Sequence, residues 1–292
     1  MKNGLKNLLL VLLVLALLGE TFLLARMYTK REETETEEVS YEDEISLLFD
    51  EAIENRQIEV YYQPIISCKD ETVCGAEALS SWKVNGEYLS PSVFVSVLET
   101  TGQVVRLDEY VFETVCAFQS ERVKRGKEIF PISVNLSVLS SLKEDIADHY
   151  RQICEDLGIE KGFVNLEITE TIDSDPLMIE ETVKQFQSCG FQVEIDDFGA
   201  GYSNYSALSK IGYDVGKLDK SLIDALENER GRIVVKQLID LFKMLDMKII
   251  AEGVENEEQV AYLKEYGCDA IQGYHYSKPL DEQAFISYID SH

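Results

Sequence analysis

Short apolar runs that end in a polar or charged residue recur along the chain from residue 58 onward. The runs are rich in Val, Ile, Tyr and Phe, a composition that favours β-strands. The pattern therefore predicts eight strands, at 58–66, 73–82, 130–137, 163–170, 191–198, 213–220, 248–255 and 270–277.

Most of the intervening stretches have room for a helix. Several end on a glycine, as helix C-termini commonly do: Gly126, Gly158, Gly190 and Gly267. Strands that alternate with helices are typical of a parallel α/β architecture. Eight such units over about 240 residues predict a TIM-like (β/α)8 barrel.

Polar residues lie at or near the C-terminal ends of the predicted strands. In a parallel barrel these ends share one face, and that face carries the catalytic residues. The adjacent carboxylates of Asp196 and Asp197 repel each other and are costly to desolvate. A divalent cation, or a pair bridged by the first carboxylate, is the usual compensation. A lone Asp-Asp pair would favour an acidic surface turn, but this pair does not stand alone.

Seven short motifs occur in order at barrel spacing: Glu77-Ala78-Leu79, Val134-Asn135-Leu136-Ser137, Glu167-Ile168-Thr169-Glu170, Asp196-Asp197-Phe198-Gly199, Lys217-Leu218-Asp219, Ala251-Glu252-Gly253-Val254-Glu255 and Gln272-Gly273-Tyr274. Together they resemble the signature of the EAL-domain family. Members of that family are phosphodiesterases that linearise the bacterial messenger cyclic di-GMP. The resemblance runs from about Ile58 to the C-terminus.

The resemblance implies a two-metal site. Oxygen-only ligands favour hard ions, here two Mg²⁺ or Mn²⁺ ions. Asp196 is the natural bridge between them. The implied ligands are Glu77, Asn135, Glu167, Asp196, Asp197 and Glu252.

Three residues are implied to act in catalysis: Lys217, Glu252 and Gln272. Lys217 would orient the attacking water or stabilise developing charge, and an ion pair with Asp197 or Asp219 is compatible with that role. Gln272 would hydrogen-bond a water or the substrate, or it would only satisfy backbone groups.

Glu170 and Glu255 are implied to hold the metal ligands in place without contacting the ions themselves. Glu170 would steady the loop 198–204, whose glycines permit unusual backbone angles. An ordinary acid at a helix start is the alternative for Glu170.

The implied substrate contacts are Gln63, Ser81 and Phe94. Phe94 would stack on guanine, or it would pack in the core. Ser81 stands where the family usually has an Arg that contacts a substrate phosphate, and losing a charge-assisted contact weakens binding by about one to two decades. Lys220 for Arg and Ala200 for Thr are milder departures.

The N-terminal segment predicts a membrane anchor over 1–27. Two lysines precede an apolar run from Leu8 to Ala25 that, at about 1.5 Å per residue, is just long enough to span a bilayer. A cleaved signal peptide is the alternative, but no small-residue cleavage site follows. The basic residues at 26, 30 and 31 favour a single-pass protein of the bacterial inner membrane with its C-terminal domain in the cytoplasm.

Composition bears on the domain boundaries, the partners and the state of the cysteines. Residues 32–44 hold eight acidic groups and no basic one, so an extended linker is predicted over 28–45 and a single catalytic domain over 46–292. The net charge of −27 excludes a nucleic-acid polymer as a partner. The six cysteines show no CxxC spacing, which indicates free thiols in a reducing compartment.

Three functions are compatible with these observations. The first is a membrane-anchored phosphodiesterase, expected to be a homodimer, that hydrolyses cyclic di-GMP to linear pGpG. The second is a catalytically weak cyclic di-GMP receptor that signals to a partner. The third, an exported phosphoesterase, requires the signal-peptide interpretation. The retained metal ligands favour the first.

Overall fold

A computed structural model describes residues 41–84, 86–169, 176–200 and 208–291. The predicted anchor at 1–27, linker residues 28–40 and Glu170 lie outside the described residues. The chain divides into two compact units, Met1–Ile45 and Ser46–His292. Within the described ranges, no helix has the length and apolar character needed to cross a membrane.

The second unit is a closed barrel of eight strands, as the sequence predicts. The strands are β1 Ile58–Ser67, β2 Val73–Val84, β3 Glu87–Leu89, β4 Ile132–Asn135, β5 Val164–Thr169, β6 Gln192–Phe198, β7 Val215–Leu218, β8 Lys248–Ala251 and β9 Ala270–Gln272. The barrel strands follow the order β1-β9-β8-β7-β6-β5-β4-β2, and β1 also pairs with β2, which closes the barrel. The short strand β3 extends the sheet beside β2.

Strand β1 departs from the parallel arrangement. It runs antiparallel to both β2 and β9, whereas the remaining barrel pairs are parallel. The prediction of a wholly parallel barrel is therefore wrong for β1. The connection at 68–72 is too short for a crossover helix, so β1 and β2 form a hairpin. This hairpin places Gln63 directly opposite Glu77.

Helices cover the outside of the barrel. Two of the predicted glycines, Gly158 and Gly267, end helices in the left-handed region, with φ of 71° and 77°. The described helices are Tyr41–Glu54, Pro91–Thr101, Val104–Lys124, Val138–Ser141, Ile146–Leu157, Pro176–Ser188, Lys220–Asp224, Glu229–Met244, Glu257–Tyr266 and Glu282–Ile289.

The first described helix begins inside the segment predicted to be an extended linker. It starts at Tyr41, so that prediction is wrong for residues 41–45. Its first turn carries Glu42, Asp43 and Glu44. Negative charges at a helix N-terminus are stabilised by the macrodipole, so the acidic run favours this helix start.

Side chains that alternate along the strands fill the barrel in layers. The layer at the C-terminal ends of the parallel strands is polar and contains the predicted metal ligands. The layer below it includes a cluster of buried apolar residues: Ile65, Val215, Ile250 and Ala270. The predicted site thus lies in one mouth of the barrel, above a partly apolar layer.

Candidate active site

The Lys217 ammonium lies at the centre of the polar layer. Its side chain has no exposed surface, yet its Nζ contacts carboxylates from three other strands and from the residue that follows β8. The distances are 2.7 Å to Glu252, 2.8 Å to Glu167, 3.1 Å to Asp196 and 3.5 Å to Glu77. The alternative of an ion pair with Asp197 or Asp219 is wrong, because the carboxylates within 4 Å of Lys217 Nζ among the described residues are those of Glu252, Glu167, Asp196 and Glu77.

The electrostatics of this cluster favour an additional cation. Burial alone would lower the pKa of Lys217, but the four surrounding carboxylates raise it well above its usual value. Burial, and then the charge of Glu77, raise the pKa of Glu167 well above the ordinary value. Burial likewise raises the pKa of Glu252, although Lys217 opposes this. One ammonium does not balance four ionised carboxylates at such close range, and the raised pKa values of Glu167 and Glu252 reflect this. A bound cation would favour the ionised forms.

A hydrogen-bonded chain of amides holds Glu77 in place. Gln272 Nε2 donates to Glu77 Oε2 at 2.6 Å and to Gln63 Oε1 at 3.1 Å. Gln63 Nε2 donates to the carbonyl oxygen of Ser277 at 3.1 Å. Asn135 Nδ2 lies 3.4 Å from the other oxygen of Glu77. Gln272 thus binds side chains rather than backbone groups, and its buried Oε1 has no partner among the described residues.

Asp196 and Asp197 lie where the ladder between β6 and β7 is irregular. The register shifts between Ile195 and Phe198, and Asp197 adopts a left-handed φ of 54°, which Asp tolerates better than most residues. Partial burial, followed by the charges of Asp196 and Asp219, raises the pKa of Asp197 to about 6. This bulge directs two successive carboxylates toward the barrel mouth.

The donors fit a hard divalent cation. Oxygens of Asp196, Asp197 and Glu252 all lie within 4.8 Å of one another. Glu167 Oε2 is buried and has no hydrogen-bond partner in the described part of the chain. Carboxylate and amide oxygens are the ligands that Mg²⁺ and Mn²⁺ prefer. All six side chains predicted as ligands lie together at this mouth, and their assignment as ligands stays a prediction.

The remaining predicted residues differ in their surroundings. Ser81 is on the same face of β2 as Glu77, because the two are four residues apart in one strand. Glu255 is half exposed, and its Oε1 lies 3.0 Å from Lys220 Nζ. Phe94 has no exposed surface and packs edge-on against Trp82, with ring centroids 5.8 Å apart. It lies on the buried face of the amphipathic helix Pro91–Thr101, between that helix and the barrel. The prediction that Phe94 stacks on the substrate is therefore wrong, and the alternative of core packing holds.

Asp108 is a buried carboxylate that the sequence analysis missed. Its Oδ2 accepts hydrogen bonds from the Ser137 backbone nitrogen at 2.9 Å and from Ser140 Oγ at 2.7 Å. These bonds fix the turn that immediately follows Asn135. Asp108 lies within the helix Val104–Lys124, away from any strand end, so the strand pattern gives no signal for it.

Asp108→Asn is expected to weaken the pH dependence of stability. Burial raises the pKa of Asp108 from 3.8 to about 6. A raised folded-state pKa gives stability that is present below pH 4 and is lost as the pH rises towards 6. Between pH 5 and 7 the free energy of unfolding falls by about 1 kcal/mol through this group. Asn does not titrate, so the variant should not show this part of the fall.

Urea unfolding at pH 5, 6 and 7 measures this difference. Glu113→Gln, an exposed change on the same helix, is the matched control and should retain the wild-type slope. An unchanged slope in Asp108→Asn would show that this carboxyl does not titrate in the window.

Comparisons with known proteins agree with this geometry. The EAL domain family model matches residues 48–279. The chain is 32% identical over 243 residues to the probable cyclic di-GMP phosphodiesterase PdeB of Escherichia coli K12, covering 83% of this chain and 46% of that protein. It is 31% identical over 261 residues to the cyclic di-GMP phosphodiesterase NbdA of Pseudomonas aeruginosa PAO1, covering 87% and 32%. The chain thus spans less than half the length of these relatives.

Solved structures share the fold. A phosphodiesterase solved as a cyclic di-GMP complex, PaMucR, superposes with a TM-score of 0.77 at 28% identity, covering 83% of this chain and 99% of that one. The EAL enzyme Bd1971, bound to cAMP and cyclic di-GMP, gives 0.78 at 26% identity, covering 93% and 75%.

Proposed function

We propose, since the chain belongs to the EAL domain family, that it hydrolyses cyclic di-GMP to linear pGpG. The observation that carries the proposal is the arrangement around Lys217. Four carboxylates surround one buried ammonium at the barrel mouth, and Asn135 and Asp197 lie beside them. Relatives named as cyclic di-GMP phosphodiesterases support the choice of substrate.

Two divalent cations, Mg²⁺ or Mn²⁺, would lower the pKa of a water and neutralise phosphate oxygens. Glu77, Asn135, Glu167, Asp196, Asp197 and Glu252 would hold them. Lys217 Nζ would orient the attacking water and stabilise the negative charge that develops on the phosphate oxygens. Gln272 Oε1, which lacks a protein partner among the described residues, would accept a hydrogen bond from a water or the substrate.

Product analysis distinguishes the enzyme from the alternative, a catalytically weak receptor. The chain is incubated with cyclic di-GMP and Mn²⁺ or Mg²⁺, and the nucleotides are separated by chromatography. The proposal expects multiple turnovers to pGpG that stop when a chelator is added. Binding of the nucleotide without any linear product would favour the receptor.

Ser81→Arg is expected to lower the KM by about tenfold with little change in kcat. An Arg here would face the same side of β2 as Glu77 and would offer a charge-assisted contact to a phosphate. Steady-state kinetics measure both constants. Ser80→Arg is the matched control, because the adjacent side chain faces the opposite side of the strand.

Glu59 lies directly opposite Ser81 in the β1–β2 ladder, so an Arg at 81 has a competing partner on the same face. The pair Glu59→Gln, Ser81→Arg removes this competition and should show the larger fall in KM. A KM that does not fall in either variant would show that position 81 does not face a phosphate.

The barrel is further proposed to lie in the cytoplasm, anchored to the inner membrane by residues 1–27. The basic residues after the apolar run, and a cytosolic substrate, support this orientation. A reporter fused after His292 should be active in the cytosol. Activity only outside the cell would favour an exported phosphoesterase.

A homodimer is also proposed, because a membrane anchor raises the local concentration of the barrels. Light scattering in the presence of metal and nucleotide measures the mass. A monomer at tens of micromolar would contradict this proposal.

A further inference from the structure

A cavity opens at the opposite end of the barrel from the predicted metal site. It has a volume of about 290 Å³ and lies where the parallel strands begin. One wall is polar and is formed by Ser133, Asn165 and Glu194 on three neighbouring strands. The facing wall is apolar and consists of the buried cluster Ile65, Val215, Ile250 and Ala270. We call this space the floor cavity.

The polar wall has hydrogen-bond acceptors that are not satisfied. Glu194 has no exposed surface, and its Oε1 accepts from Ser133 Oγ at 3.0 Å and from Asn165 Nδ2 at 2.7 Å. Its Oε2 is buried and has no hydrogen-bond partner among the described residues, and the same holds for Asn165 Oδ1. The hydrogen bond to Glu194 determines how the Asn165 amide is oriented. Nδ2 must face Glu194 Oε1 in order to donate, so Oδ1 faces away from that oxygen.

Two unpaired buried acceptors call for a donor. Water could supply donors, but water that filled the cavity would also contact the apolar wall, where it gains few hydrogen bonds. An occupant with N–H donors at one end and an apolar body suits both walls. The volume is close to the lower end of the range for small-molecule sites.

We propose that the floor cavity binds a short primary alkylammonium ion. Its nitrogen would donate to Glu194 Oε2 and Asn165 Oδ1, which are buried in this structure and become accessible when the two side chains turn toward the cavity. Its alkyl chain would pack against Ile65, Val215 and Ile250. Charge-assisted hydrogen bonds to a carboxyl group are about twice as strong as neutral ones. The other charged residues that line the cavity are Lys248, which is exposed, and Asp269, whose Oδ2 accepts from the Ile249 nitrogen at 2.9 Å.

Methyl NMR on the full chain, in excess Mg²⁺ to screen the acidic surface, tests the proposal. Propylammonium is expected to cause saturable shifts of the Ile65 and Ile250 methyl signals. Two probes test the chemistry on the unaltered protein. Tetramethylammonium has the charge but no N–H, and n-propanol has the chain but no charge. Both should bind at least about tenfold more weakly.

Glu194→Gln is expected to weaken propylammonium binding by at least about tenfold. Glu113→Gln, which removes an exposed carboxylate on an outer helix, should leave binding unchanged and so controls for attraction to the acidic chain. Equal binding of n-propanol, or shifts that stay linear or avoid both isoleucines, would overturn the proposal. No nucleotide or hydrolysis enters the assay, so its result is independent of the proposed phosphodiesterase activity.

Discussion

Lys217→Met is expected to lower the free energy of unfolding by about 3–5 kcal/mol when no divalent cation is present. Removing one partner of a buried ion pair leaves the other charge uncompensated. Here one substitution leaves four carboxylates, from Glu77, Glu167, Asp196 and Glu252, without their ammonium. Chemical denaturation in the presence of a chelator measures the loss.

Added Mn²⁺ should restore part of this stability. A ligand that binds only the folded state stabilises it, and the cluster without its ammonium has more negative charge with which to bind a cation. The thermal shift caused by Mn²⁺ should therefore be larger in Lys217→Met than in the wild type. Lys220→Met is the matched control, since that lysine is exposed and pairs with Asp224 and Glu255. Lys220→Met should lower the free energy of unfolding by less than about 1 kcal/mol. Equal costs at the two lysines would contradict the account of the buried cluster.

Asp196→Asn is expected to reduce hydrolysis by about a hundredfold or more and to remove most of the Mn²⁺-dependent thermal shift. Asp196 lies in the cluster with Asp197 and Glu252 and is the proposed bridge between two ions. Metal ions contribute several kcal/mol of charge stabilisation, and each ~1.4 kcal/mol is tenfold in rate. Initial rates and melting curves with and without Mn²⁺ measure both effects.

Asp224→Asn supplies the matched control for this prediction. That carboxylate is exposed and pairs with Lys220 on a surface helix. Both its rate and its thermal shift should remain at wild-type values. Normal hydrolysis by Asp196→Asn would remove the basis for the metal assignment.

Local patterns were enough to predict most of the barrel. Apolar runs with a polar terminal residue identified the eight strands, because strand side chains alternate and the C-terminal ends converge. Glycines identified helix ends such as those at Gly158 and Gly267. The direction of β1 had a usable signal in the short gap between the first two predicted strands, which leaves no room for a crossover helix and so indicates a hairpin.

Contacts between distant segments were harder to predict. Lys217 has acidic neighbours in its own sequence, yet its partners come from β2, β5, β6 and the end of β8. The resemblance implies Phe94 as a substrate contact, but its environment is decided by the helix face that packs on Trp82. Glu194 had a usable signal: it is two residues before Asp196 in one strand, so both side chains face the barrel interior.

Hydrolysis in ¹⁸O-labelled water shows whether the chain uses water to open cyclic di-GMP and whether Asp196 is needed. The chain is incubated with cyclic di-GMP and Mn²⁺, and the products are resolved by mass spectrometry. We expect a linear dinucleotide that carries one ¹⁸O atom on its new terminal phosphate, formed by the wild type and not by Asp196→Asn. Unchanged cyclic di-GMP after prolonged incubation, or product formed equally by both proteins, would contradict this expectation.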